Sequence, residues 1–294
     1  MRILVTGGTG FVGSNLTEEL MKQGHEVIIT GHDAERKPAG FKGKYLQPSF
    51  IGLDWDEIGK IDVLFHEAAI NDTTLMDKKE MFRANVDSTK ELFTRVIKDG
   101  CKQIVYATST AVYGNSPAPY KEDEGIEPLN PYAESKVAVD EFAMKLAKDH
   151  PDVVIVGLRY CNVYGPGEEH KGKRASMISQ LADQMRKGNP KLFKDGEQKR
   201  DWIYVKDVVR ANIMASQANE SCIVNCGSGH AVTFNFLVKT LNEVLGTERE
   251  IEYINNPYEG RYQNYTECDM SCAKKKICFV PEFDAASGIK DYLG

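Results

Sequence analysis

Short apolar runs recur along the first half of the chain, and segments with helical spacing follow them. A stripe of apolar side chains recurs every three to four residues over residues 79–98, and helices are also predicted near 177–187 and 234–245. Strands buried on both faces of a parallel sheet read as continuous apolar runs, and such runs occupy residues 2–6, 25–30, 62–66, 103–108 and 153–158. This alternation predicts an α/β fold of Rossmann type, a doubly wound parallel sheet that binds ligands at the carboxyl ends of its strands.

The strand–helix alternation loosens after about residue 160, where loops rich in Gly, Pro and charge separate the helices. We therefore expect two units. A dinucleotide-binding domain comprises residues 1–160 plus about 201–227, and a smaller C-terminal lobe, made of about 161–200 plus 228–294, faces the substrate.

Three glycines follow the first predicted strand in the spacing Gly7-x-x-Gly10-x-x-Gly13. The first permits a tight turn, the second lets the backbone approach a pyrophosphate, and the third lets a helix pack on the strand. This context predicts a dinucleotide site that includes Phe11 and Val12 at the start of the helix.

The end of the second strand bears on the choice between NAD and NADP. Gly31 occupies the position where an acid usually binds the ribose hydroxyls of NAD. Asp33 in that role would favour NAD, whereas His32 and Arg36, with Lys37 beside them, could hold the 2′-phosphate of NADP. The two basic residues after Glu35 could equally be solvated loop charges. We expect NADP or NAD, with NADP slightly favoured.

Tyr132 and Lys136 lie four residues apart in a segment that Pro131 opens as a helix, so they share one helix face. The cation would lower the pKa of the phenol, and the phenolate could then take a hydroxyl proton while hydride leaves the carbon. The pair by itself is a weak motif and needs support from the rest of the chain.

Composition excludes several other classes of protein. The net charge of -6 argues against a general nucleic-acid binder, and no apolar run approaches the roughly 18 residues of a membrane helix. The N-terminus enters a strand at once, which leaves no room for a signal peptide and favours a cytoplasmic protein. The pairs Cys222/Cys226 and Cys268/Cys272 allow a zinc site, but reduced thiols are the better interpretation, so no metal is predicted.

The motifs together resemble the extended short-chain dehydrogenases/reductases, the NAD-dependent epimerase/dehydratase family. The resemblance rests on the glycine run, Asn85, a hydroxyl at a strand end and the Tyr132/Lys136 pair. It implies that Ser109 is the catalytic hydroxyl and that Asn85 contacts the cofactor. It also implies that Ala68 and Ala69 lie on the nicotinamide side, and it implies a homodimer.

The second half of the chain resembles the part of this family that binds nucleotide-diphosphate sugars. The resemblance places Asn162 and Arg200 at the diphosphate or sugar. Residues 72–74, 169–172 and 258–263 resemble the heptose 6-epimerase branch, which implies further substrate contacts from Thr73, Thr110, His170, Arg261 and Tyr262.

In that branch a second base serves the inverted alcohol, and the role falls on Lys171, although a lysine in a polar loop is usually solvated. The implied reaction oxidises the exocyclic carbinol carbon transiently and returns the hydride to the opposite face. The alternatives are a 4-epimerase of UDP-, GDP- or CDP-hexoses, a net nucleotide-sugar reductase, and a nucleotide sensor without activity. A dehydratase is disfavoured because Thr110 and Ala111 stand where it needs an acid pair.

Overall fold

The computed structural model describes residues 1–47, 52–73, 75–255 and 264–294. The strands, in chain order, are β1 Arg2–Thr6, β2 Glu26–Thr30, β3 Lys44–Leu46, β4 Val63–His66, β5 Gln103–Ser109, β6 Val154–Tyr160, β7 Val163–Tyr164, β8 Lys191–Phe193, β9 Lys199–Asp201, β10 Ile203–Tyr204, β11 Cys222–Cys226, β12 Ala231–Thr233, β13 Glu252–Ile254 and β14 Tyr265–Thr266. The α-helices are α1 Phe11–Lys22, α2 Trp55–Ile58, α3 Lys78–Phe82, α4 Ser88–Lys98, α5 Pro131–Asp149, α6 Met177–Lys187, α7 Val205–Ala215, α8 Phe234–Leu245, α9 Ser271–Ile277 and α10 Ala285–Leu293.

Seven strands form one parallel sheet in the order β11-β6-β5-β4-β1-β2-β3. The direction of winding reverses between β1 and β4, where Thr6 pairs with His66. A reversal of this kind leaves a crevice at the carboxyl ends of the strands. The predicted Rossmann-type sheet is therefore confirmed, and the crevice is where a ligand is expected.

Apolar side chains cover both faces of this sheet, as its continuous apolar strands require. Ile3 and Val5 of β1 belong to the core on one face, together with residues of α1, α7 and α9. Leu4, on the same strand, belongs to the core on the other face, together with residues of α4 and α5.

The helix predicted over residues 79–98 is interrupted. The structure has α3, then a π-helical turn at Arg83–Asp87, then α4. The hydroxyl of Ser88 donates to the carbonyl of Arg83, five residues back, at 3.0 Å. This bond fits the wider π spacing, which periodicity alone does not distinguish from an α-helix.

Short strands dominate the part of the chain after β6. They form β10-β7, β12-β9-β14 and β13-β8, which join segments far apart in sequence. A separate apolar core, with Tyr164, Trp202 and Phe234, lies beneath them. The predicted lobe boundaries stay a prediction. Across the described residues, every helix is too short or too polar to cross a membrane.

Candidate active site

The glycine turn after β1 is packed too tightly for side chains. A Cβ atom on Gly13 would lie 2.2 Å from the carbonyl oxygen of Gly7, and one on Gly7 would lie 2.9 Å from the backbone nitrogen of Ala68. Gly10, the N-cap of α1, offers no side-chain cap to the amides of the first turn. Backbone N–H groups at a helix start are suited to a pyrophosphate, so these residues fit the predicted dinucleotide.

The end of β2 explains why an acid is missing from its usual position. A Cβ atom on Gly31 would lie 2.0 Å from Oγ1 of Thr9. His32 and Arg36 line the cavity beside this turn. The carboxylate of Asp33 instead accepts from the amide of Glu35 at 3.0 Å and pairs with Arg36 at 3.2 Å.

Three predicted catalytic residues meet where strand β5 ends and helix α5 begins. The Asn130 side chain caps α5 at the amide of Ala133, at 2.9 Å, and so orients the first turn that carries Tyr132. Ser109, the last residue of β5, is hydrogen-bonded to the Tyr132 hydroxyl. The ammonium of Lys136 lies 5.8 Å from the centroid of the Tyr132 ring.

Burial dominates the protonation of this group. It lowers the pKa of Lys136 to about 8, and the acids Asp140 and Glu67 offset part of the effect. It raises the pKa of Tyr132, against the lowering effect of the Ser109 bond. The sequence predicts a lowered pKa for the phenol. The direction differs because desolvation outweighs the Ser109 bond, and because the Lys136 ammonium donates to the Ala107 carbonyl at 2.8 Å and not to the phenol.

These residues open into one cavity of about 780 Å³. Fifteen of the predicted site residues line it: Gly7, Gly10, Phe11, Val12, Gly13, His32, Arg36, Ala68, Ala69, Ser109, Tyr132, Lys136, Asn162, His170 and Lys171. The cavity therefore joins the glycine turn to the Tyr132 group and to a segment from the second half of the chain.

Lys171 enters the cavity from the 3₁₀-helical segment Glu169–Arg174. The buried carboxylate of Glu168 holds this segment, since it accepts from the amide of Gly165 at 3.0 Å and the hydroxyl of Ser176 at 2.9 Å. The Lys171 ammonium lies 5.2 Å from the centroid of the Phe11 ring. Burial lowers the pKa of Lys171, and the charge of Glu168 raises it in part.

Five predicted residues that the structure describes are absent from the cavity lining. They are Asp33, Thr73, Asn85, Thr110 and Arg200. The amide of Asn85 is buried and bonds the backbone of Ile70 and the hydroxyl of Ser135. Asn85 thus holds the cavity-lining residue Ile70 in place by hydrogen bonds, and its predicted cofactor contact stays a prediction.

The other predicted substrate residues take varied positions. Thr73 is exposed, and the Thr110 hydroxyl donates to the Tyr160 carbonyl at 3.2 Å. Arg200 is buried and donates to the Lys199 carbonyl at 2.8 Å. Arg261 and Tyr262 lie outside the described residues.

The cysteines meet in a combination that their spacing does not suggest. Among the described residues, the potential ligand atoms of Cys161, Asp201 and Cys268 lie within 4.8 Å of one another. Both carboxylate oxygens of Asp201, however, already accept hydrogen bonds from the amides and hydroxyl of residues 228–229 and the amide of Cys268.

Among the cavity-lining residues that sequence reasoning did not assign, three have ionisable side chains, namely Glu67, Tyr160 and Arg174. Glu67 and Tyr160 fall inside the motifs that carry the family resemblance, next to Ala68 and near Asn162. Their positions in these motifs could have identified Glu67 and Tyr160 as candidate site residues. Their contact with each other, across 93 residues, is visible only in the fold.

Comparison with known proteins agrees with this site. The family model described as "NAD dependent epimerase/dehydratase family" matches residues 3–227. The chain belongs to this family, which confirms the prediction made from the motifs.

Particular relatives point to one branch. The chain is 36% identical to the ADP-L-glycero-D-manno-heptose-6-epimerase of Alkalilimnicola ehrlichii, over 99% of this chain and 96% of the relative. The crystal structure of the Helicobacter pylori ADP-L-glycero-D-manno-heptose-6-epimerase is 36% identical with a TM-score of 0.90, covering 99% of this chain and 95% of that one. A UDP-N-acetylglucosamine 4-epimerase from Methanobrevibacter ruminantium, in complex with UDP-N-acetylmuramic acid, is 27% identical with the same TM-score, covering 99% and 96%. The expectation of an epimerase is therefore confirmed.

Proposed function

We propose that this protein is an ADP-L-glycero-D-manno-heptose 6-epimerase, an isomerase that inverts the exocyclic carbinol carbon of its nucleotide sugar. The observation that carries the proposal is the arrangement of two candidate bases around one cavity. Tyr132 lies on the sheet side, and Lys171 enters from the segment Glu169–Arg174. Relatives that share 36% identity over nearly the whole chain bear the same activity in their names.

A bound nicotinamide dinucleotide would supply the hydride acceptor and donor, with no net oxidation. The turn from Gly7 to Gly13 holds the pyrophosphate, and Lys136 holds the nicotinamide ribose. His32 and Arg36 receive the 2′-phosphate of NADP, which we favour because Gly31 leaves no room for the acid that binds NAD. In Arg36→Ala, affinity for NADP⁺ should fall about tenfold while affinity for NAD⁺ holds, as for one lost charge-assisted contact. Equal affinities of the native protein for the two cofactors would reject this preference.

Proton transfer in the first half-reaction falls to Tyr132. Its hydroxyl is bonded to Ser109. When substrate binds, the serine would turn its single proton to the substrate oxygen as negative charge develops there. The Lys136 ammonium stabilises the phenolate form electrostatically. Burial raises the pKa of the phenol, and the positive charge of the oxidised cofactor would act in the opposite direction.

Lys171 serves the other epimer. Inversion points the alcohol oxygen in a new direction, which a single fixed phenol does not reach equally well. Burial lowers the pKa of Lys171, so a neutral amine is more accessible than on a solvated lysine. The sugar-side contacts we propose are Thr73, Thr110, Asn162, His170, Arg200, Arg261 and Tyr262.

The test is stereochemical. The protein is incubated with ADP-L-glycero-D-manno-heptose and, separately, with UDP-, GDP- and CDP-hexoses, and the products are followed by NMR. Inversion at the exocyclic carbon of the ADP-heptose is expected. Inversion only at C4 of a hexose would support the second candidate, the 4-epimerase, which the similarity to the M. ruminantium structure favours. Stoichiometric consumption of added NADPH would indicate a reductase, and turnover of no sugar a nucleotide sensor.

Two sequence predictions complete the proposal. We propose that the chain is a homodimer and that residues 161–200 with 228–294 form its substrate lobe. Light scattering of the purified protein tests the first, and a monomer would reject it.

A further inference from the structure

One acid in the cavity is not used by the mechanism above. Glu67 directly follows β4, and its backbone adjoins the glycine turn. Its side chain leaves that turn. Both carboxylate oxygens lie within hydrogen-bond distance of the Tyr160 hydroxyl at the end of β6, at 3.0 and 3.1 Å. Tyr160 is the register partner of Ser109, so the carboxylate lies at the reacting end of the cavity.

The hydrogen bonds define which atom donates. The amide nitrogen of Asn212 donates to the Val208 carbonyl at 2.9 Å and to the Tyr160 oxygen at 2.7 Å. Since the Val208 carbonyl can only accept, the amide orientation is determined. The Tyr160 hydroxyl then donates its proton to Glu67, whose carboxylate accepts it. This is an arrangement that supports a charge rather than neutralising it.

The surroundings make this charge unusual. Among the described residues that line the cavity, Glu67 is the single acid, whereas Arg36, Lys136, Lys171 and Arg174 are cations. A carboxylate close to the phosphates of a dinucleotide would repel them and lower the affinity for the cofactor. Of the charged parts of an oxidised nicotinamide dinucleotide, the positively charged ring is the one that a nearby carboxylate stabilises.

Burial of Glu67 bears on the same question. It raises the pKa of the carboxyl to about 7, against the lowering effects of the Tyr160 bond and the Lys136 charge. A cationic ring beside it would favour the ionised form further. Burial of the Glu67 carboxylate therefore costs solvation free energy, and a positively charged ligand next to it would offset part of that cost.

We propose that Glu67 favours binding of the oxidised cofactor. Its carboxylate, held by Tyr160, stabilises the cationic nicotinamide ring of the oxidised form over the neutral ring of the reduced form. The inference rests on the proposed function, because an epimerase must start each cycle with an oxidised cofactor. A net reductase would gain nothing from such a residue.

The experiment compares two affinities and needs no sugar. Protein freed of endogenous nucleotide is titrated at pH 8 with NADP⁺ and, separately, NADPH, and then with NAD⁺ and NADH. In Glu67→Gln, which keeps an acceptor for Tyr160 but removes the charge, affinity for the oxidised forms should fall about tenfold. Affinity for the reduced forms should stay within about twofold. The matched control is Glu141→Gln on the exposed face of α5, which should change neither affinity.

Equal weakening of both forms would show that Glu67 only braces the wall, and no change in either would show that it does not face the ring. Either result overturns the inference. If Glu67→Gln fails to fold, Tyr160→Phe carries the test, since loss of its bond should shift the same ratio in the same direction by a smaller factor. A shifted ratio in a protein that epimerises no sugar would reject the proposed function and leave the charge effect standing. An unshifted ratio in an active epimerase would do the reverse.

Discussion

The cavity has two walls that are built differently. The sheet wall consists of the strand ends of β1, β4 and β5 with the first turns of α5, and its Tyr132 and Lys136 are buried. The lobe wall consists of Asn162 and the segment Glu169–Arg174. There Asn162 and His170 are exposed and Lys171 is only half-buried. The groups proposed for hydride transfer therefore lie on a strand end and a regular helix, and groups that would select the sugar lie on irregular backbone.

The two walls divide chemistry from substrate specificity in this fold. Side chains on the sheet wall are oriented by regular backbone and desolvated, which shifts their pKa values strongly. The lobe wall is held by the carboxylate of Glu168, which accepts from the Ser176 amide, and by the backbone carbonyl of Asp201, which accepts from the Asn162 side chain. Substitutions on the sheet wall should abolish every reaction, whereas those on the lobe wall should change which reaction occurs.

The largest effect is expected for Tyr132→Phe. Loss of the general acid/base should reduce epimerisation about a thousandfold, while cofactor affinity changes little because the ring remains. Turnover is measured by NMR and cofactor binding by fluorescence. Tyr253→Phe, at an exposed tyrosine, is the control. Retention of full turnover would remove Tyr132 from the mechanism.

Lys171→Met should separate the two walls. Epimerisation should fall about a hundredfold, but cofactor reduction in a single turnover should slow for only one of the two epimers, because Tyr132 still serves the other. Stopped-flow absorbance at the reduced-cofactor band gives the two rates. Lys187→Met, on the exposed end of α6, is the matched control. Equal slowing with both epimers would argue against a two-base reaction.

Asp201→Asn tests how the lobe wall is held. The carboxylate accepts from the Ser228 amide and hydroxyl and from the amides of Gly229 and Cys268, at 2.6–3.1 Å. An asparagine turns a donor toward some of these groups, so the free energy of unfolding should fall by about 3 kcal/mol. Urea denaturation measures it, with exposed Asp183→Asn as the control. A loss no larger than the control's would mean that Asp201 does not brace this wall.

Lys136 on the sheet wall should make folding stability depend on pH. Burial depresses the pKa of Lys136 from 10.5 to about 8, so between these values the unfolded chain binds more protons than the folded one. Stability of the cofactor-free protein should therefore rise with pH in this window. The rise should be about 2 kcal/mol between pH 8 and 10. Lys136→Met should lack this contribution, and denaturation of both proteins at several pH values isolates it. Parallel curves would contradict a depressed pKa.

Much of the sheet wall is predictable because its determinants are local. The glycine run, the Ser109 strand end and the Tyr132/Lys136 spacing each lie within a few residues. The second strand predicted at 25–30 is observed as β2, one residue shorter. The short strands from β7 to β14 escape prediction, since two or three residues show no periodicity and pair with distant segments.

The amino-acid sequence is enough to predict the alternation of strands and helices in the sheet, the dinucleotide turn and the hydride-transfer pair, because these depend on backbone preferences and on neighbours along the chain. The folded chain is needed to explain the rise in the pKa of Tyr132, the insertion of Lys171 into the same cavity and the contact of Glu67 with Tyr160. Those outcomes depend on desolvation and on charges brought together across the sheet. Neither quantity exists until the chain is folded.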